Sequence, residues 1–129
     1  MKKMGKIIIP PDVNVWPHEY MTAKSLAKAG CTVEFIRRSN RDRATSADSY
    51  VDEQKWEMKA PTADNKKAVR RNLREGRWQS DKIVFDSRRM KKVPDTAIAQ
   101  ELVAQSKLIS GISKVKFVNR HGVVTDIKK

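Results

Sequence analysis

Short alternating apolar runs follow one another, in some places across a few polar residues and in others across a helix-length stretch. That spacing constrains this chain more than any other feature. Runs joined by a tight turn pair as hairpins, whereas runs separated by a helix can return parallel. Lys6 to Ile9 reads as a short strand stopped by Pro10 and Pro11. A helix starts near Pro17, a residue suited to a first turn, and stops at Gly30. "CTVEFI", 31 to 36, alternates like a strand and leads into an Arg-rich polar loop, and "DSYVDEQKWEMK", 48 to 59, reads as a hairpin turning at Asp52 and Glu53. Past Pro61, Asp64 is placed to cap a helix from about Asn65 to Trp78. "DKIVFD", 81 to 86, is a strand, 94 to 111 is a helix with Ile98, Leu102, Gln105 and Ile109 on one stripe, and the tail is a hairpin turning near His121 and Gly122. The order βαβββαβαββ predicts an α+β (α/β) fold, a mixed central sheet flanked by helices, in one domain of 129 residues. It argues against a purely parallel doubly wound sheet, and neither GxxxxGK nor GxGxxG is present to cradle a nucleotide phosphate.

Charge narrows the partner. Lys and Arg number 28 against 15 Asp and Glu, a formal net charge of +13. Such an excess favours a polyanion, with nucleic acid ahead of an anionic membrane surface. Cys31 is the one cysteine, so an internal disulfide and a thiolate metal cage are both excluded. No apolar run approaches the roughly 18 residues of a membrane span, and the three isoleucines of "MKKMGKIIIPP" are too few for a signal-peptide core. The expected setting is the cytoplasm, with no membrane partner and no small-molecule cofactor.

Side chains alternate along a strand, so Lys55, Glu57 and Lys59 share one face and Trp56 and Met58 the other. With a two-residue turn at 52 and 53, Asp48 falls opposite Glu57. Opposed like charges destabilise a sheet. One resolution is a hard divalent cation such as Mg²⁺ held by both carboxylates, with Lys59 reaching toward a metal-bound water or a phosphate. The other is that each carboxylate makes an ordinary cross-strand ion pair, with Lys55 or Lys59. Glu19 poses the same choice, because Glu19, Ala23, Leu26 and Gly30 share a helical stripe. It serves either as a metal ligand or as a first-turn acid favoured by the helix dipole.

The helix "NKKAVRRNLREGRW" carries Lys66, Lys67, Arg70, Arg71, Arg74 and Arg77 against one acid, Glu75. Val69, Leu73 and Gly76 form a narrow packing stripe. Charge of one sign repels itself and lacks the i,i+4 pairs of a merely soluble helix, so phosphate binding explains it better. Arg88, Arg89, Lys91 and Lys92 follow the 81 to 86 strand, and Arg37, Arg38, Arg41 and Arg43 precede Asp48. Both groups extend the basic surface. Aromatic residues are few and not interleaved, which favours recognition by shape and phosphate, as on an RNA stem.

An acid at a helix start followed by D-x8-E-x-K on a hairpin resembles the PD-(D/E)XK nuclease superfamily, through Glu19, Asp48, Glu57 and Lys59. Ala47 stands where that pattern usually has proline. More widely, "IIIPPDVNVWPHEYMTAKSLAKAG", "ADSYVDEQKWEMKAPT", the basic helix with "RRNL" and "KIVFDSRR" resemble the C-terminal toxin domains of CdiA-type contact-dependent growth inhibition proteins, over Ile7 to Lys128. That resemblance implies a restriction-endonuclease-like core that cleaves transfer RNA, a divalent metal, and a cognate acidic immunity protein, acting in the target-cell cytoplasm. In its terms Asp48 and Glu57 bind Mg²⁺ with the Met58 carbonyl, Glu19 holds a metal water or a second ion, and Lys59 positions the attacking water. Lys66, Arg70, Arg74, Arg77, Arg88 and Arg89 carry nucleic acid, with Gln79 and Asp86 in support.

Three rivals use the same residues differently. A DNA endonuclease would share the core, since nothing in these residues visibly reads a 2′-hydroxyl. A metal-free ribonuclease would use His18 or His121 as general base. A non-catalytic basic module would bind nucleic acid without turnover.

Overall fold

A computed structural model describes residues 3–37 and 48–129. Arg38, Arg41 and Arg43 of the Arg-rich loop, and Ala47, lie outside the described residues. The elements follow the expected order: β1 (Ile7–Ile8), α1 (Pro17–Lys28), β2 (Val33–Ile36), β3 (Asp48–Val51), β4 (Gln54–Lys59), α2 (Lys67–Gly76), β5 (Lys82–Asp86), α3 (Asp95–Leu108), β6 (Lys114–Val118) and β7 (Val124–Lys128). With seven strands and three helices among the described residues, the fold is a mixed α+β one. The chain forms two compact units, residues 1–56 and 57–129, and β4 passes from one into the other.

In the first unit β1 runs parallel to β2, with α1 as the crossover, and β2, β3 and the first half of β4 continue antiparallel. α1 buries Ala23, Leu26 and Ala27 with Val33, Phe35, Val51 and Trp56. Trp56 thus points inward as its alternation requires, whereas Met58 is half-buried. The helix ends at Lys28, and Gly30 follows at φ 98°, the left-handed conformation that makes glycine a natural stop. Gly5 is needed for a different reason: a Cβ there would lie 1.7 Å from the Cys31 carbonyl oxygen. That close approach lets the Gly5 N–H donate to Ala27 O at 2.8 Å.

The β3–β4 turn is the two-residue one expected, with Ser49 facing Trp56, Tyr50 facing Lys55 and Val51 facing Gln54. Asp52 and Glu53 both adopt positive φ, 48° and 70°, as a primed hairpin turn demands. Neither is glycine. The strain is held by a reciprocal pair: Asp52 N–H donates to Thr32 O at 2.8 Å and Thr32 N–H donates to Asp52 Oδ1 at 2.9 Å.

In the second unit the later half of β4, β5 and β6 run parallel, joined through α2 and α3, and β7 closes antiparallel on β6. Parallel strands covered by helices are apolar throughout, and Ile83, Val84 and Phe85 of β5 are fully buried. Val69 and Leu73 of α2 join Ile98 and Leu102 of α3 and Val115 and Phe117 of β6 in one core. Two expectations need correction. Asp64 does not cap α2, which starts at Lys67 with no side-chain cap; its carboxylate instead accepts from Lys92 N–H at 3.3 Å. Gln105 is half-buried, its amide donating to Glu101 Oε2 at 3.0 Å, and Ser106 takes a buried place on α3.

Asp81 and Ser113 clasp the starts of β5 and β6. The Ser113 hydroxyl donates to the Asp81 carboxylate and Ser113 N–H donates to Asp81 O at 2.8 Å. The serine bond, helped by Lys82, holds the Asp81 pKa below its ordinary 3.8.

Two outcomes follow from these local geometries. Glu53→Gly relieves a left-handed glutamate, and thermal unfolding should show a gain of about 0.5–1 kcal/mol, less than the full αL cost because glycine also loosens the unfolded chain. A depressed carboxylate stabilises the fold above its unfolded pKa, and that contribution is lost as pH falls through the folded value. Ser113→Ala should therefore be less stable than wild type at neutral pH, and the gap should narrow in denaturant melts taken below about pH 4.

Candidate active site and basic surface

The sequence-predicted site residues divide between the units: Glu19 and Asp48 in the first, Glu57 and Lys59 in the second. Asp48 opens β3, half-buried, with Lys55 Nζ 3.9 Å from its Oδ2. The next residue, Ser49, is buried and donates its hydroxyl to Trp56 O at 2.6 Å, which fixes β3 on β4 beside the carboxylate. Glu19 is the third residue of α1, and its Oε1 accepts from Trp16 N–H at 2.9 Å. This is the helix-start role kept open for it above, satisfying a donor that the helix cannot. His18 stacks on Trp16 at 6.4 Å, and His121 lies exposed in the β6–β7 turn.

In the second unit, Glu57 and Lys59 leave the same face of β4, opposite Ile83 and Phe85 on β5. Lys59 Nζ lies 3.7 Å from Glu57 Oε2 and 4.0 Å from Glu75 Oε1. The lysine and Glu57 side chains are only 20% and 16% exposed, so their charges interact in a less watery setting than a surface pair. Gly76 makes room: a Cβ there would come within 3.1 Å of Ile83 Cδ1 and 3.5 Å of Lys59 Cε. In sequence Glu75 stands out only as the sole acid of α2.

Asp86 is 3% exposed and grips Arg88, with Arg88 Nε donating at 3.1 Å and Nη2 at 2.6 Å, while the Arg88 backbone N–H donates to Oδ1 at 3.0 Å. This is a bidentate, charge-assisted pair, so Arg88 is committed to holding the chain after β5 as much as to any ligand. Arg89 Nη1 donates to Ala60 O at 3.1 Å from an exposed position. Gln79 is exposed past the end of α2, its backbone N–H donating to Gly76 O.

The basic residues gather most densely on α2. Lys66, Lys67, Arg70, Arg71 and Arg74 line an open cleft of about 740 Å³ whose opposite wall is Glu101 and Gln105 of α3. A second cleft, of about 390 Å³, is lined by Arg70, Arg74 and Arg77 with Gln105, Leu108, Ile109 and Ser110. The α3 walls were not legible in sequence, because they depend on how α2 and α3 pack. Five cations facing one cleft favour a polyanion there.

Among the described residues no group of three or more His, Cys, Asp or Glu side chains is arranged to hold a metal ion. Asp48 and Glu57 remain hard oxygen donors of the kind Mg²⁺ takes, one or two protein carboxylates with water completing the shell.

Residues 45–124 match the family model described as the contact-dependent growth inhibition CdiA C-terminal domain. The chain belongs to this family, and is a contact-dependent growth inhibition toxin domain. Among solved structures, it resembles a chain described as "CdiA-CT/CdiI toxin and immunity complex from Burkholderia pseudomallei", with a TM-score of 0.70 over 97% of this chain and 100% of that one. At 19% identity that likeness carries the fold. No curated protein sequence matches the chain.

Arg88→Ala should destabilise the protein by about 3 kcal/mol, because it removes the cation facing a buried carboxylate, and Arg88→Lys should recover only part since an ammonium cannot bind both oxygens. Denaturant unfolding of the two variants measures the difference.

Proposed function

We propose that this toxin domain is a metal-dependent phosphodiesterase of PD-(D/E)XK type that cuts RNA, with transfer RNA as its target. The observation that carries this reading is the Glu57–Lys59 pair: a carboxylate and an ammonium 3.7 Å apart, both largely shielded, on one face of β4. Family membership and the E-x-K spacing support it. Glu57 and Asp48, with the Met58 carbonyl, are the residues that would hold Mg²⁺, and Glu19 would take an outer place on a metal-bound water. The ion would act as a Lewis acid and make bound water more acidic.

The chain's own groups do the rest. Lys59 sets a positive charge beside the reacting phosphate, where it offsets the negative charge that builds as water attacks phosphorus. Glu75, 4.0 Å from the same ammonium, helps to hold it in place. The α2 cations bind the phosphates of the polynucleotide, an interaction that weakens steeply with salt. Asp86 keeps Arg88 oriented beyond β5. The solved relative's title describes a toxin and immunity complex, and the charge of +13 suits an acidic immunity protein as inhibitor here.

The deciding experiment incubates the purified chain with total RNA and with duplex DNA, each with Mg²⁺ and with excess EDTA. RNA should be cut only with the metal, and Glu57→Ala and Lys59→Ala should each lower the rate by about 100-fold or more while leaving the melting temperature within a few degrees. Full activity in both variants would remove these residues from the mechanism. Cleavage surviving EDTA would favour a histidine base, and cutting of DNA alone would reassign the substrate.

A further inference from the structure

Trp78 is out of place on a soluble surface. It is 75% exposed, directly past the end of α2, and lies outside the buried core cluster of the second unit. An indole left this open forgoes the stabilisation that burying a large apolar side chain supplies. The side chain beside it is as unusual. The Arg77 guanidinium lies 4.6 Å from the Trp78 ring centroid, its Nη1 donates to Ser110 O at 3.3 Å, and its Nε is buried with no hydrogen-bond partner. Arg77 also lines the smaller basic cleft with Arg70 and Arg74.

We infer that Trp78 is a base-stacking residue: the indole receives one unpaired nucleobase of the RNA while Arg70, Arg74 and Arg77 hold the adjoining phosphates. This rests on the RNA-cutting reading above and adds a substrate feature to it, namely an unpaired nucleotide next to a helical segment. An aromatic face accepts any base, so the contact selects for single-strandedness and not for sequence. Arg77 fixes the indole from one side and is itself anchored at Ser110, so the ring is presented with little freedom left to lose on binding. Charge favours RNA here: the cleft that shares Arg77 with the indole has Leu108 and Ile109 on its α3 side but carries three arginines and no carboxylate.

The test measures binding in EDTA, so that affinity is read without turnover, using a labelled RNA hairpin with an unpaired loop and a fully paired RNA duplex carrying the same number of phosphates. Trp78→Ala should weaken the hairpin about tenfold and the duplex hardly at all, and Trp78→Phe should retain most of the hairpin affinity. Arg70→Ala should weaken both RNAs alike. Equal losses for hairpin and duplex in Trp78→Ala, or no loss for either, would overturn the stacking role and leave RNA binding standing; in the second case the indole would belong to a protein contact. If wild type binds neither RNA at low salt, the RNA reading falls with it.

Discussion

Thr32 and Asp52 exchange two hydrogen bonds across the first unit, and those bonds hold a turn that would otherwise prefer glycine. The register of β3 on β4 follows from that turn. A one-residue slip would send Asp48 and Tyr50 to the opposite face and expose Ser49 and Val51, which are now buried. The placement of the β3 side chains against the first half of β4 therefore depends on two residues in an uncommon conformation. Function-bearing proteins often keep such local cost where a substitution to glycine would loosen the geometry.

The second unit shows a related compromise. α2 gives its packing surface to Ala68, Val69, Leu73 and Gly76 and four of its other six positions to cations. Those cations repel one another, so the helix is held by its apolar stripe and by α3, not by its own charge pattern. Its single acid, Glu75, is spent on Lys59. Gly76, a poor helix former, is tolerated because its missing side chain lets Ile83 and the Lys59 stem lie against the helix.

Membership in the contact-dependent growth inhibition family establishes a toxin domain, and the chemistry must come from the residues themselves. The Glu57–Lys59 pair, the bidentate Asp86–Arg88 lock and the arginine-lined clefts differ in kind. The first is a shielded carboxylate–ammonium contact on one face of β4, the second holds the chain past β5, and the third gathers the cations of α2 along open clefts. Arg88, one of the basic residues that suit a phosphate, is also held tightly by a buried aspartate and so fixes the chain past β5.

The residue pattern by itself determined the order of ten elements, the two-residue turn at 52 and 53, the inward face of Trp56 and the packing stripe of α2, because each depends on local periodicity and on neighbours in the chain. It also carried the family resemblance through "DSYVDEQKWEMK" and "KIVFDSRR". Only the tertiary structure decided that Glu19 caps its own helix, that Asp64 turns to Lys92, that Glu75 joins Lys59, and that Glu101 and Gln105 wall the basic cleft. In each case several donors or neighbours could serve the same side chain. Which one is taken depends on distances set when the elements pack, and local periodicity does not fix those distances.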